Sequence, residues 1–311
     1  MSFFKQYETA LAVSRYGGIS QAAEALGMAQ PTLSKYLKKL ESDLGAELFD
    51  RTVSPIALTP AGALFLESGK QILDIENQFQ KQLGELLANK NTVIRVGISP
   101  SRSPYMMPRI LREYRRLHPD CRVVIEERTT AELNNRLSDG ELDLVLSLES
   151  DETQNFVSVP LFEETLLLAV PNLPQNKKIT ATDALSSIPL INVGQGQAMW
   201  QTVTAITDAI GIRHPDIECQ SIESGLAMVK QGLGAMIVPS YIRDFGSSSQ
   251  NESVLFLSFS SEERNAFRVS MDRRVCLFHR TRQFLTQAEK DFTDCIKCVA
   301  YDIKTGKGEL T

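Results

Sequence analysis

The spacing of apolar residues changes character near residue 92, and that change constrains the fold more than any other feature of the chain. Residues 3–87 carry helical spacings, interrupted by one short strand-like stretch. From 92 onward, short runs rich in Val, Ile and Leu fall at 93–98, 122–127, 142–148, 165–170, 189–193, 234–238 and 254–259. Amphipathic stretches near 104–117, 131–139, 198–210 and 223–231 separate them. Nearly all-apolar, β-branched strands alternating with helices predict parallel α/β sheets, two of them. A length of 311 residues, at about 150 per domain, suggests two or three folding units.

The N-terminal part is punctuated tightly. Phe4, Tyr7 and Leu11 recur at i, i+3, i+7 and mark one buried helical face. Gly17-Gly18 ends that helix, Ser20 stands where it can N-cap a second one over 21–26, and Gly27 stops it. Gln30-Pro31 opens a third helix, with Leu33, Leu37 and Leu40 inward and Pro31, Ser34, Lys35 and Lys38 on the opposite side. Two helices joined by a glycine turn, the second presenting polar and basic side chains, have the geometry of a helix-turn-helix. Ala23 lets the helices cross closely, Gly27 supplies the positive φ of the turn, and Leu33 and Tyr36 fill the gap. Residues 47–58 read as two short strands around Ser54-Pro55, a wing. Thr59-Pro60 then caps a long helix to about residue 87. On it Phe65, Ile72, Phe79 and Leu86 fall seven apart and Ile75 adds one d-type position, a seam suited to a dimer. Asn89-Lys90-Asn91 reads as the linker.

The ordered segment Ile19-Ser-Gln-Ala-Ala-Glu-Ala-Leu-Gly-Met-Ala-Gln-Pro-Thr-Leu-Ser-Lys-Tyr-Leu-Lys-Lys-Leu-Glu, with Leu44-Gly45, Leu48-Phe49-Asp50-Arg51 and Leu58-Thr59-Pro60-Ala61-Gly62, resembles the LysR-type transcriptional regulators. It covers about a fifth of the chain and is specific. Ile94-Arg-Val-Gly-Ile, His118-Pro119, Gly140-Glu-Leu-Asp-Leu and Gly232-Leu-Gly-Ala-Met-Ile-Val-Pro agree more loosely. The resemblance implies a mixed architecture. A winged helix-turn-helix DNA-binding domain spans 1–59 and a dimerising linker helix 60–90. An effector-binding domain similar to periplasmic binding proteins spans 91–311, with lobe I at 92–161 plus 268–300 and lobe II at 162–267. It also implies a cytoplasmic transcriptional regulator that binds a double-stranded DNA operator, as a homodimer or homotetramer, under control of a small-molecule effector held between the lobes. Two departures stand out: Ala29 replaces the Ser often found before the third helix, and the wing segment 53–57 has no basic residue.

Glutamine can bond adenine bidentately and lysine can take guanine or phosphate, so Gln30, at the start of the third helix, is the first candidate for reading base edges. By resemblance Pro31, Thr32, Ser34 and Lys35 flank it, while Lys38 and Arg51 are expected on phosphates. For the effector, ligands of open α/β sheets bind off the carboxyl ends of strands and anions favour helix N-termini. The loops at Ser99–Ser103, Thr129-Thr130 and 192–196 meet that description. Similar regulators place inducer contacts there, which makes Ser99, Ser101, Arg102, Thr129, Gln195 and Ser224 the candidates, and an anionic or zwitterionic metabolite the expected ligand. Ser103 and Thr129 also read as helix caps, Thr129 in a capping box with Glu132.

The rival class is an α/β enzyme or solute binder with an accessory helical head. No Ser/His/Asp or Cys/His constellation and no metal-ligand spacing supports it, and no cofactor is expected: Gly194-Gln-Gly196 lacks the third glycine of a dinucleotide fingerprint. The five cysteines are irregularly spaced and suit reduced thiols; Cys295-Ile-Lys-Cys298 lacks the two further ligands zinc would want, and a redox role for it is the minor alternative. No apolar run is long enough for a membrane span and the N-terminus has no signal-peptide pattern. The net charge of −5 speaks against nucleic acid only as an average. Residues 1–60 carry six Lys/Arg and six Asp/Glu, and positions 30–40 hold three lysines and no acid. The acidity lies elsewhere, in the remaining chain.

Overall fold

The computed structural model describes residues 3–87, 92–194, 198–211, 215–245, 253–267 and 269–305. The chain forms two compact units, Met1–Leu86 and Leu87–Thr311.

In the first unit, α1 (Phe3–Tyr16), α2 (Ile19–Ala25) and α3 (Gln30–Leu44) enclose a core of Ala10, Val13, Ala22, Ala23, Leu33, Leu37, Leu40, Leu48 and Phe49. Each large apolar side chain buried there contributes about 1.5–3 kcal/mol. Gly27 takes φ +63°, which lets α2 turn into α3 without a Cβ clash. The sequence reading placed Ser20 at the cap of α2. The helix instead starts at Ile19 from an extended Gly18, so Ser20 lies inside the first turn. β1 (Phe49–Asp50) and β2 (Ala57–Leu58) pair antiparallel as the wing, with Phe49 opposite Leu58.

The Thr59 hydroxyl accepts from the Gly62 amide at 3.0 Å and caps α4 (Pro60–Leu86). Phe65 leaves the expected heptad seam. Its ring stacks 5.9 Å from Phe3 and packs on the head's core, because the first turns of α4 are part of that unit. The exposed apolar positions of α4 are Leu64, Ile72, Ile75, Phe79 and Leu86. Gly62 is required by contact: a Cβ there would lie 2.0 Å from the Leu48 carbonyl oxygen.

The second unit is built on a nine-stranded sheet ordered β4-β3-β5-β11-β6-β9-β7-β8, with β10 also on β6. The strands are β3 (Val93–Ile98), β4 (Arg122–Glu127), β5 (Leu144–Leu148), β6 (Phe156–Pro171), β7 (Leu190–Val193), β8 (Ile217–Cys219), β9 (Ala235–Pro239), β10 (Val254–Ser258) and β11 (Asp272–Arg280). The helices are α5 (Ser103–Leu117), α6 (Thr130–Ser138), α7 (Ala181–Ser187), α8 (Ala198–Ala209), α9 (Ile222–Lys230), α10 (Tyr241–Phe245), α11 (Ser261–Phe267) and α12 (Gln287–Thr305). Two large cores result, one around Ile94, Ile98, Ile110, Tyr114 and Phe292, the other around Leu168, Ile191, Val203, Met236 and Ile237, with a smaller cluster of Leu133, Leu137, Leu142, Val145, Cys276 and Phe278.

The expected pair of parallel sheets is corrected in one respect. Parallel pairing holds for β3 with β4 and β5, and for β7 with β8 and β9, but β6, β10 and β11 pair antiparallel and join both halves into one path. The long β6 is the reason. It pairs with β11 up to Thr165 and with β9 from Leu166. Phe267 and Met271 pack in the same core as Leu168 and Ile237, and β11 begins at Asp272. Pro160 and the acidic pair Glu163-Glu164 hide this strand in the sequence. The pairing register shifts beside Pro160, where a bulge tolerates a residue without an amide hydrogen.

Gly62→Ala is expected to lower the thermal stability of the head, although alanine is the better helix former by about 1 kcal/mol. A raised melting temperature in a thermal scan would contradict the close approach to Leu48.

Candidate functional site

The first candidate surface lies on α3. Burial of Leu33, Leu37 and Leu40 orients the helix, and Gln30, Pro31, Thr32, Lys35 and Lys38 are exposed beside a half-buried Ser34. Ala29 stands at the N-cap without a side-chain bond, Pro31 carries no amide hydrogen, and the Thr32 amide donates to the Ala29 carbonyl at 2.9 Å. Arg51 has a different setting from the free phosphate ligand expected. Its Nη2 pairs with Glu41 Oε2, and Glu41 Oε1 accepts from the Leu48 amide at 3.0 Å, so one buried carboxylate ties the wing to α3. Arg51 remains exposed at its tip, with further guanidinium donors.

The second candidate is a cavity of about 60 Å³ in the C-terminal unit. It is lined by the loop after β3 (Ser99, Pro100, Ser101, Arg102), the end of β4 (Arg128, Thr129, Thr130), Leu148, and across the sheet Met199, Ile222, Pro239 and Arg273. At about 10–15 Å³ per water on such a measure, it admits a few waters or the head of a small ligand. Of the sequence candidates, Ser99, Ser101, Arg102 and Thr129 are brought together here. Ser224 is not: α9 presents Ile222 to the cavity, while Ser224 is exposed and gives its amide to the Ser221 hydroxyl. Gln195 lies outside the described residues. Ser103 does not cap α5, because Arg102 occupies the N-cap and Ser103 is already helical. Thr129 does cap α6, in the expected box with Glu132.

Burial in this cavity gives the charges their force. Arg102, only 4% exposed, donates to Ser99 Oγ at 3.1 Å and to Glu164 Oε1 at 2.8 Å, with its guanidinium 5.5 Å from the Tyr241 ring centroid. Arg273, opposite Glu164 in the β6–β11 register, donates to the same oxygen. Burial pulls Arg273 below its ordinary value, with Glu164 opposing the shift. Burial acts the same way on Arg102, but the Glu164 carboxylate outweighs it and the guanidinium is raised. Both remain charged. On a neighbouring helix, burial pushes the Glu223 carboxyl up, and Glu127 adds to the shift. Sequence reasoning missed Arg128, Arg273, Met199 and Ile222 as cavity residues, and Glu164 as the partner of its two buried arginines. Glu163-Glu164 within an otherwise apolar run was the available signal.

Among the described residues no cluster of His, Cys, Asp or Glu is placed to hold a metal ion, and no helix is long and apolar enough to cross a membrane. Cys121, Cys219, Cys276 and Cys295 are buried free thiols, each pushed up by burial, and Cys298 is exposed on α12.

Comparison with known proteins finds a family match for each part of the chain. Residues 4–63 match the family described as bacterial regulatory helix-turn-helix protein, lysR family, and residues 88–300 match the LysR substrate binding domain. The chain is 28% identical over 240 residues to the DNA-binding transcriptional dual regulator OxyR of Escherichia coli, covering 75% of this chain and 77% of that protein. It is 26% identical over 279 residues to the uncharacterized HTH-type transcriptional regulator YcgK of Bacillus subtilis, covering 83% and 85%. Full-length CbnR in complex with its target DNA shares the fold with a TM-score of 0.56 at 20% identity, over 96% of this chain and 100% of that one. A Corynebacterium glutamicum OxyR C206 mutant does so at 0.57 and 22%, over 99% and 97%.

Glu41→Ala removes the acceptor of both Arg51 and the Leu48 amide, and a buried group left unpaired costs about 1–3 kcal/mol. Hydrogen exchange of the α3 amides is expected to accelerate accordingly; protection equal to the parent's would contradict the strut.

Proposed function

The chain belongs to the LysR family of bacterial helix-turn-helix transcriptional regulators, and from that premise we propose how its own residues divide the work. It is a sequence-specific DNA-binding regulator whose operator binding is modulated by a small effector. In our reading α3 enters the major groove, Gln30 reads a base edge with Thr32 and Ser34 beside it, and Lys35 and Lys38 hold phosphates. The observation that carries this is the exposed Gln30–Lys38 face on a helix fixed from behind by three buried leucines. Arg51 contributes a phosphate contact from its wing position while Glu41 holds it. The head is neutral, so binding strength comes from heads acting together. The exposed Ile72, Ile75, Phe79 and Leu86 on α4 supply an apolar seam for a homodimer, and a tetramer is its extension. A cytoplasmic location follows from work on DNA.

The effector occupies the cavity at Ser99, Ser101, Arg102 and Thr129, and differential binding to the open and closed arrangements of the lobes shifts operator affinity. We read lobe I as 92–165 plus 272–300 and lobe II as 166–271, following the strand pairing. The domain boundaries at 59/60 and 90/91 stay as the sequence suggests them. Several relatives are named hydrogen peroxide-inducible genes activators. We do not extend peroxide sensing to this chain, because four of its five thiols are buried and shifted away from the reactive thiolate.

Lys38→Ala is expected to weaken binding to all DNA sequences alike and to lower the slope of log K against log salt by about one unit. Gln30→Ala is expected to relax discrimination between sequences by about 1–3 kcal/mol at one position, with the slope unchanged. Anisotropy titrations at several salt concentrations separate the two; exchanged behaviours would overturn the assignment. Operator affinity measured with and without peroxide is expected to be equal, and a difference would restore the redox reading.

A further inference from the structure

The inference concerns the chemical class of the effector, and it rests on the reading of the cavity as the effector site. Two guanidinium groups, Arg102 and Arg273, line the cavity, and one carboxylate, Glu164, serves both. Their side chains are 5%, 12% and 1% exposed, so solvent screens these charges little. The pairing is incomplete. A single oxygen, Oε1, accepts from both arginines, while Glu164 Oε2, Arg102 Nε and Arg273 Nε find no partner among the described residues. Arg273 Nη1 rests 2.9 Å from Met199 Sδ, and a thioether is a weak acceptor.

Two buried positive charges against one negative leave one positive charge uncompensated beside a cavity that also offers the hydroxyls of Ser99, Ser101 and Thr130, that of Thr129 being held by Glu132. We propose that the cavity takes a small monoanion, a monocarboxylate by class, and that Glu164 is the residue that sets the ligand's charge. Holding one of the two guanidinium charges, it admits one negative charge and turns away a second. Arg128 also lines the cavity but is exposed, and water screens it. Glu127 and Glu223 adjoin lining residues in sequence yet lie outside the lining, so the ammonium of a zwitterion would meet no carboxylate there.

Acetate, malonate, glycine and acetamide are small enough to report charge before shape. They are titrated calorimetrically into the full-length protein at matched ionic strength. Acetate is expected to bind tighter than each of the other three by about tenfold or more. In Glu164→Gln the preference moves to the dianion, malonate gaining about tenfold or more relative to acetate. Loss of the buried carboxylate can cost the fold, so Arg273→Gln is the second arm. It cancels the residual charge with the Arg102–Glu164 pair in place, and acetate is expected to weaken by about tenfold while acetamide is unmoved. An acetate preference that neither substitution shifts overturns the assignment to Glu164. Glycine or acetamide binding as tightly as acetate overturns the monoanion, and leaves the cavity as the effector site. Binding of none of the four also overturns it, and operator binding by the same sample then shows that the regulator reading stands separately.

Discussion

A single carboxylate oxygen on Glu164 holds two arginines from opposite directions, and the C-terminal unit is organised around that point. Glu164 lies on β6 next to Thr165, where the strand exchanges β11 for β9 as its partner. Arg273 sits opposite on β11, one of the crossing strands, and Arg102 arrives from the N-terminus of α5. Tyr241 and Met199, from the second core, cover the two guanidinia. Taking three charges out of water costs several kcal/mol per ion, and a well-packed apolar cluster of the same volume would serve stability as well. The charges sit where β6 exchanges β11 for β9, and in the reading proposed above a ligand that alters their balance is felt by both partners of that strand.

The head repeats the device on a smaller scale. Glu41, a buried residue of α3, gives one oxygen to the Leu48 amide and the other to Arg51, which fixes the wing relative to that helix. Rigidity of that kind matters in a neutral head. Three of its four lysines lie on one helix, α3, so non-specific attraction is weak and geometry carries more of the discrimination.

Much of this was legible in the sequence, and the failures have physical reasons. The head was readable because its signals are local: the Leu33–Leu37–Leu40 spacing, Gly27 in the turn and the Thr59 cap each act within a few residues. Phe65 was misjudged because a heptad cannot say which of its members a neighbouring helix claims. The loops after β3 and β4 were found through the general rule that ligands bind at the carboxyl ends of strands. Arg273 and Glu164 were not, since they meet only across the register of β6 and β11, with more than a hundred residues between them. Ser224 was a candidate through the resemblance alone, and its helix turns Ile222 to the cavity instead.

In our reading this chain recognises a particular DNA through the exposed face of α3, which three buried leucines hold in place. The decisive measurement is titration of the full-length protein into the intergenic DNA upstream of its own gene, beside unrelated DNA of equal length and across a series of salt concentrations. Tighter binding to the upstream DNA is expected at every salt concentration, with log K falling linearly as log salt rises for both. Equal affinity for the two DNAs, or no salt-sensitive binding to either, would contradict it.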